Sequence, residues 1–91
     1  MEVTGSLKLI KETEDIGTSG FQKRDVVITT SEQYSQDLLI QFSQDKCNKL
    51  DEFNIGDSVK ISINLKGREW TSPLGETKYF NTIEGWRIEK I

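Results

Sequence analysis

Histidine is absent from the 91 residues of this chain, and cysteine occurs only once, at position 47. The first absence excludes imidazole-based acid–base, nucleophilic and metal sites, and a single cysteine excludes a thiolate-rich zinc site. Residues 17–20 lack the lysine and the following helix of a phosphate-binding loop. Carboxylate pairs such as Asp51 and Glu52 are simply adjacent in the chain. The sequence therefore argues against an enzyme and implies no cofactor or metal.

Long apolar runs are also missing. No segment approaches the roughly 20 apolar residues of a membrane span, and the N-terminus has no signal-peptide pattern. The single cysteine cannot form an internal disulfide, and these features together favour a cytoplasmic protein. A chain of this length is expected to be one domain that buries only about 60% of its unfolded surface, so a ligand site within one copy should be shallow.

Charge is unevenly distributed along the chain. The formal net charge is −3, which argues at first against a nucleic-acid partner. However, residues 1–59 hold six Lys/Arg and eleven Asp/Glu, whereas residues 60–91 hold six and four. Because local electrostatic fields decide where an anion binds, the basic C-terminal third remains compatible with binding of single-stranded nucleic acid.

The longest regular pattern begins at Val59 and ends near Trp70. Apolar residues alternate with polar ones, which predicts a long strand with one buried face. A turn-rich segment, residues 71–75, leads to a returning strand that carries Tyr79 and Phe80 beside Lys78. Large rings and cations are thus gathered at the exposed end of a hairpin, where rings can stack on bases and cations can hold phosphates.

Shorter patterns supply the other elements. They predict strands at about residues 2–13, 21–30 and 37–42, the last two forming a hairpin, with a loop at 14–20. Ser43 is the predicted N-cap of a short helix that ends near Glu52, with Cys47 and Leu50 facing inward. The last strand, residues 79–90, changes its apolar parity, which predicts a bulge near Glu84 and Gly85.

Three strands, one helix and two strands make the element order of the OB-fold barrel. The sequence therefore predicts an all-β, five-stranded OB-fold over residues 1–91, with one short helix between the third and fourth strands. Such a barrel binds ligands on its second and third strands and in the loops that join strands 1 to 2 and 4 to 5. Here those loops are residues 14–20 and 71–78.

Four segments carry a family resemblance: Leu39-Ile40-Gln41-Phe42, Ile55-Gly56-Asp57-Ser58-Val59-Lys60-Ile61, Arg68-Glu69-Trp70 and Gly75-Glu76-Thr77-Lys78-Tyr79. Residues 38–91 resemble the bacterial single-stranded DNA-binding protein family. In that family a phenylalanine ends the third strand and a tryptophan ends the fourth, and both stack on bases. The resemblance places Phe42 and Trp70 at these positions. Short single-strand-binding-like proteins of bacteria and phages also share Gly67-Arg68-Glu69-Trp70 and the aromatic last strand.

The chain departs from the larger family in two ways. Its last strand is followed directly by Ile91, so recruitment of other enzymes through an acidic tail is not expected. The second and third strands of the family carry further stacking tryptophans, where this chain has Val26 or Val27 and Gln36. Fewer stacking rings imply weaker binding per subunit, since each stacked base contributes about 1 to 3 kcal/mol.

Ten residues are predicted to contact nucleic acid, either by stacking on bases or by meeting phosphates. They are Trp70, Tyr79, Phe42, Phe21, Trp86, Arg68, Lys66, Lys78, Lys23 and Arg24.

Each of these candidates has a structural alternative. Trp70 could cap the barrel end, Phe42 and Trp86 share parity with core residues, and each cation could be merely solvated. Neighbouring residues on a strand point opposite ways, so one of Tyr79 and Phe80 is expected in the core, with Tyr79 outside because its hydroxyl tolerates water.

The function predicted from the sequence is binding of single-stranded DNA with little sequence preference, RNA being a further possibility. The alternative is an OB-fold protein-interaction or assembly module that uses the same aromatic patch against a protein. Under either interpretation we expect a homo-oligomer, a dimer or a tetramer, because a shallow groove gains affinity when several copies hold one strand.

Overall fold

A computed structural model describes residues 1–17 and 20–91 of the chain. Most of these residues are in strands. The strands are β1 (Glu2–Ile10), β2 (Glu14–Ile16), β3 (Phe21–Thr30), β4 (Asp37–Ser43), β5 (Ser58–Thr71) and β6 (Thr77–Lys90). A single helical turn, α1 (Lys46–Lys49), and a 3-10 turn (Leu50–Glu52) connect β4 to β5. No helix among the described residues is long and apolar enough to cross a membrane.

The five long strands close into a ring. β1 pairs with β5 through its first half and with β3 through its second half. The β3–β4 and β5–β6 hairpins are antiparallel, and the ring closes where Gln41 of β4 pairs in parallel with Glu84 of β6. β1 can pair on both sides because Gly5 has no side chain: a Cβ there would collide with the backbone of Thr29.

The core fills the interior of this ring. It consists of the inward-facing apolar residues of the five long strands together with two residues that follow α1 and close one end. Its members are Leu7, Val26, Ile28, Ile40, Phe42, Val59, Ile61, Ile63, Ile88, Leu50 and Phe53. Cys47 is also buried, and burial raises the pKa of its thiol.

The first predicted strand and the loop after it differ from the structure. β1 ends at Ile10, and Glu14–Ile16 forms β2, which pairs with the start of β3. The sheet therefore has six strands, five of which form the ring. The loop was expected from the acidic and Gly/Ser-rich composition, but pairing with β3 satisfies the backbone of its first half. Thr18 and Ser19 of the predicted loop lie outside the described residues.

The predicted helix is shorter than expected. Ser43 is the last residue of β4 and pairs with Lys23, so its prediction as an N-cap is wrong. Asp45 occupies that position without a side-chain capping bond, and Gln44, with φ of 57°, makes the corner before it. The inward orientation of Cys47 and Leu50 is confirmed.

The predicted bulge in the last strand is confirmed one residue further along. Ile63 pairs with Gly85 and Ser62 pairs with Arg87, which leaves Trp86 as the extra residue on β6. The bulge restores inward orientation to Ile88 after the parity change.

Candidate nucleic-acid interface

The β5–β6 hairpin extends well beyond the barrel. We call residues 66–82 the arm; in it, every residue except the half-buried Ser72 is exposed. β1 pairs with β5 only between Ser58 and Ser62, and β4 pairs with β6 only at Glu84. Within the described residues, the outer halves of β5 and β6 therefore pair only with each other. The turn is closed by hydrogen bonds from the backbone of Gly75 and Glu76 to Ser72. Both surfaces of this two-stranded ribbon therefore face solvent.

The pairing register sorts the side chains of the arm onto two faces. Residues directly opposite each other in an antiparallel pair share a face. One face, here called the basic face, holds three successive pairs: Lys66 with Thr82, Arg68 with Phe80, and Trp70 with Lys78. Every pair contributes one cation, and two of the three contribute an aromatic ring.

Arg68 and Phe80 form the central pair of the basic face. The guanidinium carbon of Arg68 lies 5.6 Å from the centroid of the Phe80 ring, which is cation–π distance. Phe80 is 45% exposed and Trp70 is 41% exposed, although both rings are large and apolar. An exposed ring held beside a cation suits a ligand that has both a flat base and a phosphate.

The charge of the basic face is only partly neutralised. Lys66 lies 3.3 Å from a carboxylate oxygen of Glu84 at the base of the arm. Within the described part of the chain, neither Arg68 nor Lys78 forms an ion pair with a carboxylate. Two cations therefore remain available to an incoming anion.

The opposite face of the arm carries Tyr79, whose hydroxyl donates to Glu69 over 3.5 Å. Tyr79 and Phe80 do point opposite ways, but the prediction that one of them is in the core is wrong. Tyr79 is 75% exposed, and Phe80 is exposed as well. The ribbon projects from the barrel, so neither of its faces has a core to enter. Phe80, and not the predicted Tyr79, shares a face with the three cations.

Two depressions connect the basic face to the barrel. The outer one, of about 270 Å³, is lined by Lys66, Arg68 and Phe80 and ends at Gln41 and Thr82. A second, which we call the β4–β6 cleft, has a volume of about 420 Å³ and begins at the same two residues. Its lining also includes Lys23, Asp25, Leu39, Asn81 and Ile83. The predicted residue Lys23 is thus brought to the same continuous surface as the arm.

Arg24 is held in the structure by its neighbours. Its guanidinium donates to the backbone oxygen of Lys11 (2.6 Å), to that of Cys47 (3.1 Å) and to the carboxylate of Asp51 (2.7 Å). Its side chain is only 13% exposed. Arg24 therefore ties Lys11, which follows β1, and the α1 region to β3. The prediction that it meets phosphate is corrected, because three of its five N–H donors are engaged and its side chain is largely covered.

Phe42 is 1% exposed and belongs to the core. Its ring packs against Gly85, where an added Cβ would lie 2.5 Å from Cζ of Phe42. The prediction that Phe42 stacks on a base is corrected, because the ring presents no face to solvent. The alternation of Leu38, Ile40 and Phe42 along β4 already indicated that the ring faces the core.

Two further predicted residues lie apart from the arm. Phe21 is half-buried at the start of β3, opposite Ile16 of β2, and lines neither depression. Trp86 is 46% exposed at the bulge, and it also lines neither depression. Sequence reasoning missed Phe80, Gln41 and Asn81, which the register and the ring closure bring to the interface. Alternation from Lys78 would have indicated Phe80.

Comparison with known protein families gives one match. The model of the family described as "Domain of unknown function (DUF3127)" matches residues 2–89. The chain belongs to this family. No curated protein sequence matches it.

Among solved structures, the DUF3127 chain is similar to Rim1, a mitochondrial single-stranded DNA-binding protein from S. cerevisiae. The TM-score is 0.73 at 13% sequence identity, and the match covers 100% of this chain and 92% of that one. An identity this low shows the fold alone. The predicted OB-fold is thereby confirmed. The ring of strands with one short helix in this DUF3127 protein resembles the fold of a single-stranded DNA-binding protein.

Proposed function

We propose that this protein binds single-stranded DNA along the basic face of its arm. The supporting observation is the succession of three cross-strand pairs on this face. Lys66 lies opposite Thr82, Arg68 opposite Phe80, and Lys78 opposite Trp70. The two rings stack on bases, Arg68 and Lys78 meet phosphates directly, and Lys66 meets a third phosphate by exchanging its Glu84 carboxylate for it. Stacking is tolerant of sequence because every base has a flat face, so the arm has little base preference.

The magnitude of these contacts indicates modest affinity for one copy. Two stacked bases contribute about 2 to 6 kcal/mol, whereas micromolar affinity requires about 8 kcal/mol. Phosphate contacts add to this, and so does the engagement of one strand by several copies. We therefore also propose that the protein acts as a homo-oligomer, which light scattering coupled to gel filtration tests directly.

The acidic balance of the whole chain is compatible with this proposal. Screening at physiological salt limits surface charges to a range of about 8 Å. Most of the acidic residues lie in residues 1–59, and the arm itself contains only Glu69 and Glu76. Binding by the arm should therefore respond to its own cations and hardly to acidic residues on the far side of the barrel.

Tryptophan fluorescence tests the proposal, because stacking quenches indole emission. A Trp86→Phe variant leaves Trp70 as the only indole, and it should be quenched on titration with oligo-dT at low salt and less at high salt. The matched Trp70→Phe variant leaves Trp86, whose emission should change little. If neither variant changes at micromolar protein, the proposal fails and the protein-interaction module is favoured. A parallel titration with oligo-rU compares RNA with DNA.

A further inference from the structure

The β4–β6 cleft exists because the barrel closes through a single pair of residues. Gln41 and Glu84 are paired, and upstream of them β4 and β6 separate. The space between the strands has a volume of about 420 Å³, within the usual range of about 300 to 1,000 Å³ for small-ligand pockets. It opens beside the inner end of the basic face and shares Gln41 and Thr82 with the outer depression.

The walls of the cleft combine apolar surface with hydrogen-bonding groups. Leu39, which is 53% exposed, lies on the β4 side, and Ile83 lies on the β6 side. The polar groups are the carboxylate of Asp25, the amides of Gln41 and Asn81, and the ammonium group of Lys23. Asp25 lies directly opposite Gln41 in the β3–β4 ladder, so these two side chains share one face of the sheet.

These polar groups have no side-chain partner within residues 1–17 and 20–91. None of the four forms a side-chain hydrogen bond or an ion pair in that part of the chain. Asp37, also on the cleft wall, differs: its carboxylate accepts hydrogen bonds from Lys8 (2.8 Å) and Thr29 (2.7 Å). Asp25 is therefore the carboxylate that remains free to accept a bond from a ligand.

We propose that the β4–β6 cleft takes one unstacked nucleobase of the bound strand and prefers guanine. Guanine presents two adjacent donors, N1–H and the N2 amino group, on its Watson–Crick edge, and a carboxylate accepts two parallel bonds. Asp25 accepts both, while an amide or ammonium group among Gln41, Asn81 and Lys23 donates to O6. Leu39 and Ile83 contact the faces of the base. The inference rests on the proposed function, since it assigns one position of the same strand.

The test compares short oligonucleotides that differ in one base. A fluorescently labelled nonamer of thymidines is titrated with the protein, alongside versions whose central residue is guanine, inosine, adenine or cytosine. One guanine per strand avoids quadruplexes. We expect the guanine version to bind about tenfold more tightly than all-thymidine, in line with the discrimination typical of one bidentate contact. Inosine, which lacks the N2 amino group, should lose most of this preference.

Matched variants assign the preference to its residue. Asp25→Asn removes the bidentate acceptor and should abolish the guanine preference, whereas Asp37→Asn removes the same charge from the same cleft and should retain it. Circular dichroism confirms that both variants fold. Equal dissociation constants for guanine and thymine, or a preference that persists in Asp25→Asn, would overturn the guanine pocket. If oligo-dT binds normally in that event, the proposed function stands; if no oligonucleotide binds, both fail.

Discussion

Arg68 and Phe80 face each other across the β5–β6 ladder, with the guanidinium 5.6 Å from the ring centroid. The contact holds a cation and an exposed ring together before any ligand arrives. Preorganisation of this kind lowers the conformational entropy lost on binding. A substitution in this central pair of the basic face should therefore be the most informative test of ligand binding.

Phe80→Ala should weaken oligo-dT binding by about 1 to 3 kcal/mol, because one stacking surface is lost. Tyr79→Ala is the control: it removes a neighbouring ring from the opposite face of the same strand. Fluorescence anisotropy should show the loss for Phe80 and nearly parental affinity for Tyr79. Equal losses of affinity in the two variants would show that the Phe80 ring supports the folding of the arm and does not contact a ligand.

Lys78→Ala should make binding less dependent on salt. If the three cations of the basic face meet three phosphates, the slope of log affinity against log salt is about −2, since a single strand releases roughly 0.7 counterion per contact. Loss of Lys78 should make it shallower by about 0.7. Lys49→Ala, in α1 and paired with Glu52, should leave the slope unchanged. A slope near zero in the parent would contradict phosphate binding.

Gly85→Ala should destabilise the fold. The added Cβ would lie 2.5 Å from Cζ of Phe42, and overpacking of this kind costs about 1 to 3 kcal/mol. Gly67→Ala is the control in the arm, where the nearest atom, at 3.3 Å, belongs to the side chain of Asn81. Urea denaturation should show a larger loss of unfolding free energy for Gly85→Ala than for Gly67→Ala. A neutral Gly85→Ala would mean that Phe42 can leave the core, which would restore it as a candidate for stacking.

Arg24→Ala should lower stability without lowering affinity. The change leaves the exposed backbone oxygen of Lys11 and the part-buried one of Cys47 without their donor, and a lost hydrogen bond of this kind costs about 0.5 to 1.5 kcal/mol. Lys23→Ala, the next residue along, should leave stability close to the parent because its side chain lies on the β4–β6 cleft. Thermal melts and oligo-dT titrations on both variants check this. Reduced affinity in a fully folded Arg24→Ala protein would return that residue to the interface.

The pairing of Asp37 with Lys8 should make one part of the stability depend on pH. Hydrogen bonds from Lys8 and then from Thr29 hold the pKa of Asp37 below its ordinary value of 3.8. A depressed folded-state pKa gives stability that is present above about pH 4 and is lost as the pH falls through the folded value. Asp37→Asn should therefore destabilise the protein at pH 6 and 7 and make progressively less difference below pH 4. Urea denaturation across this range measures the difference in free energy of unfolding. A Lys8→Met background should reduce this difference but leave the part that comes from the Thr29 hydrogen bond.

Particular elements show how far sequence reasoning reaches. The long strand around Ile61 was predicted well because alternation over many residues has one interpretation, and the bulge near Gly85 followed from a parity change. The Ser43 cap failed because hydrogen bonding of β4 to β3 extended the strand through that residue. β2 was missed because three exposed residues, Glu14–Ile16, have no apolar pattern and become a strand only by pairing.

The sequence by itself determined the order of the five long strands and the short helix, the inward orientation of residues such as Cys47 and Leu50, and the concentration of rings and cations near Trp70. These features depend on local pattern, which a single chain displays directly. Tertiary structure decided that the outer half of the hairpin leaves the barrel, so that Phe80 is exposed on the face of Arg68 and Tyr79 lies opposite. It also decided that Phe42 is covered by Gly85 and that Arg24 is bound by the backbone oxygens of Lys11 and Cys47. Register and ring closure join residues distant in sequence, and alternation within one strand gives which residues share a face but not what will cover it.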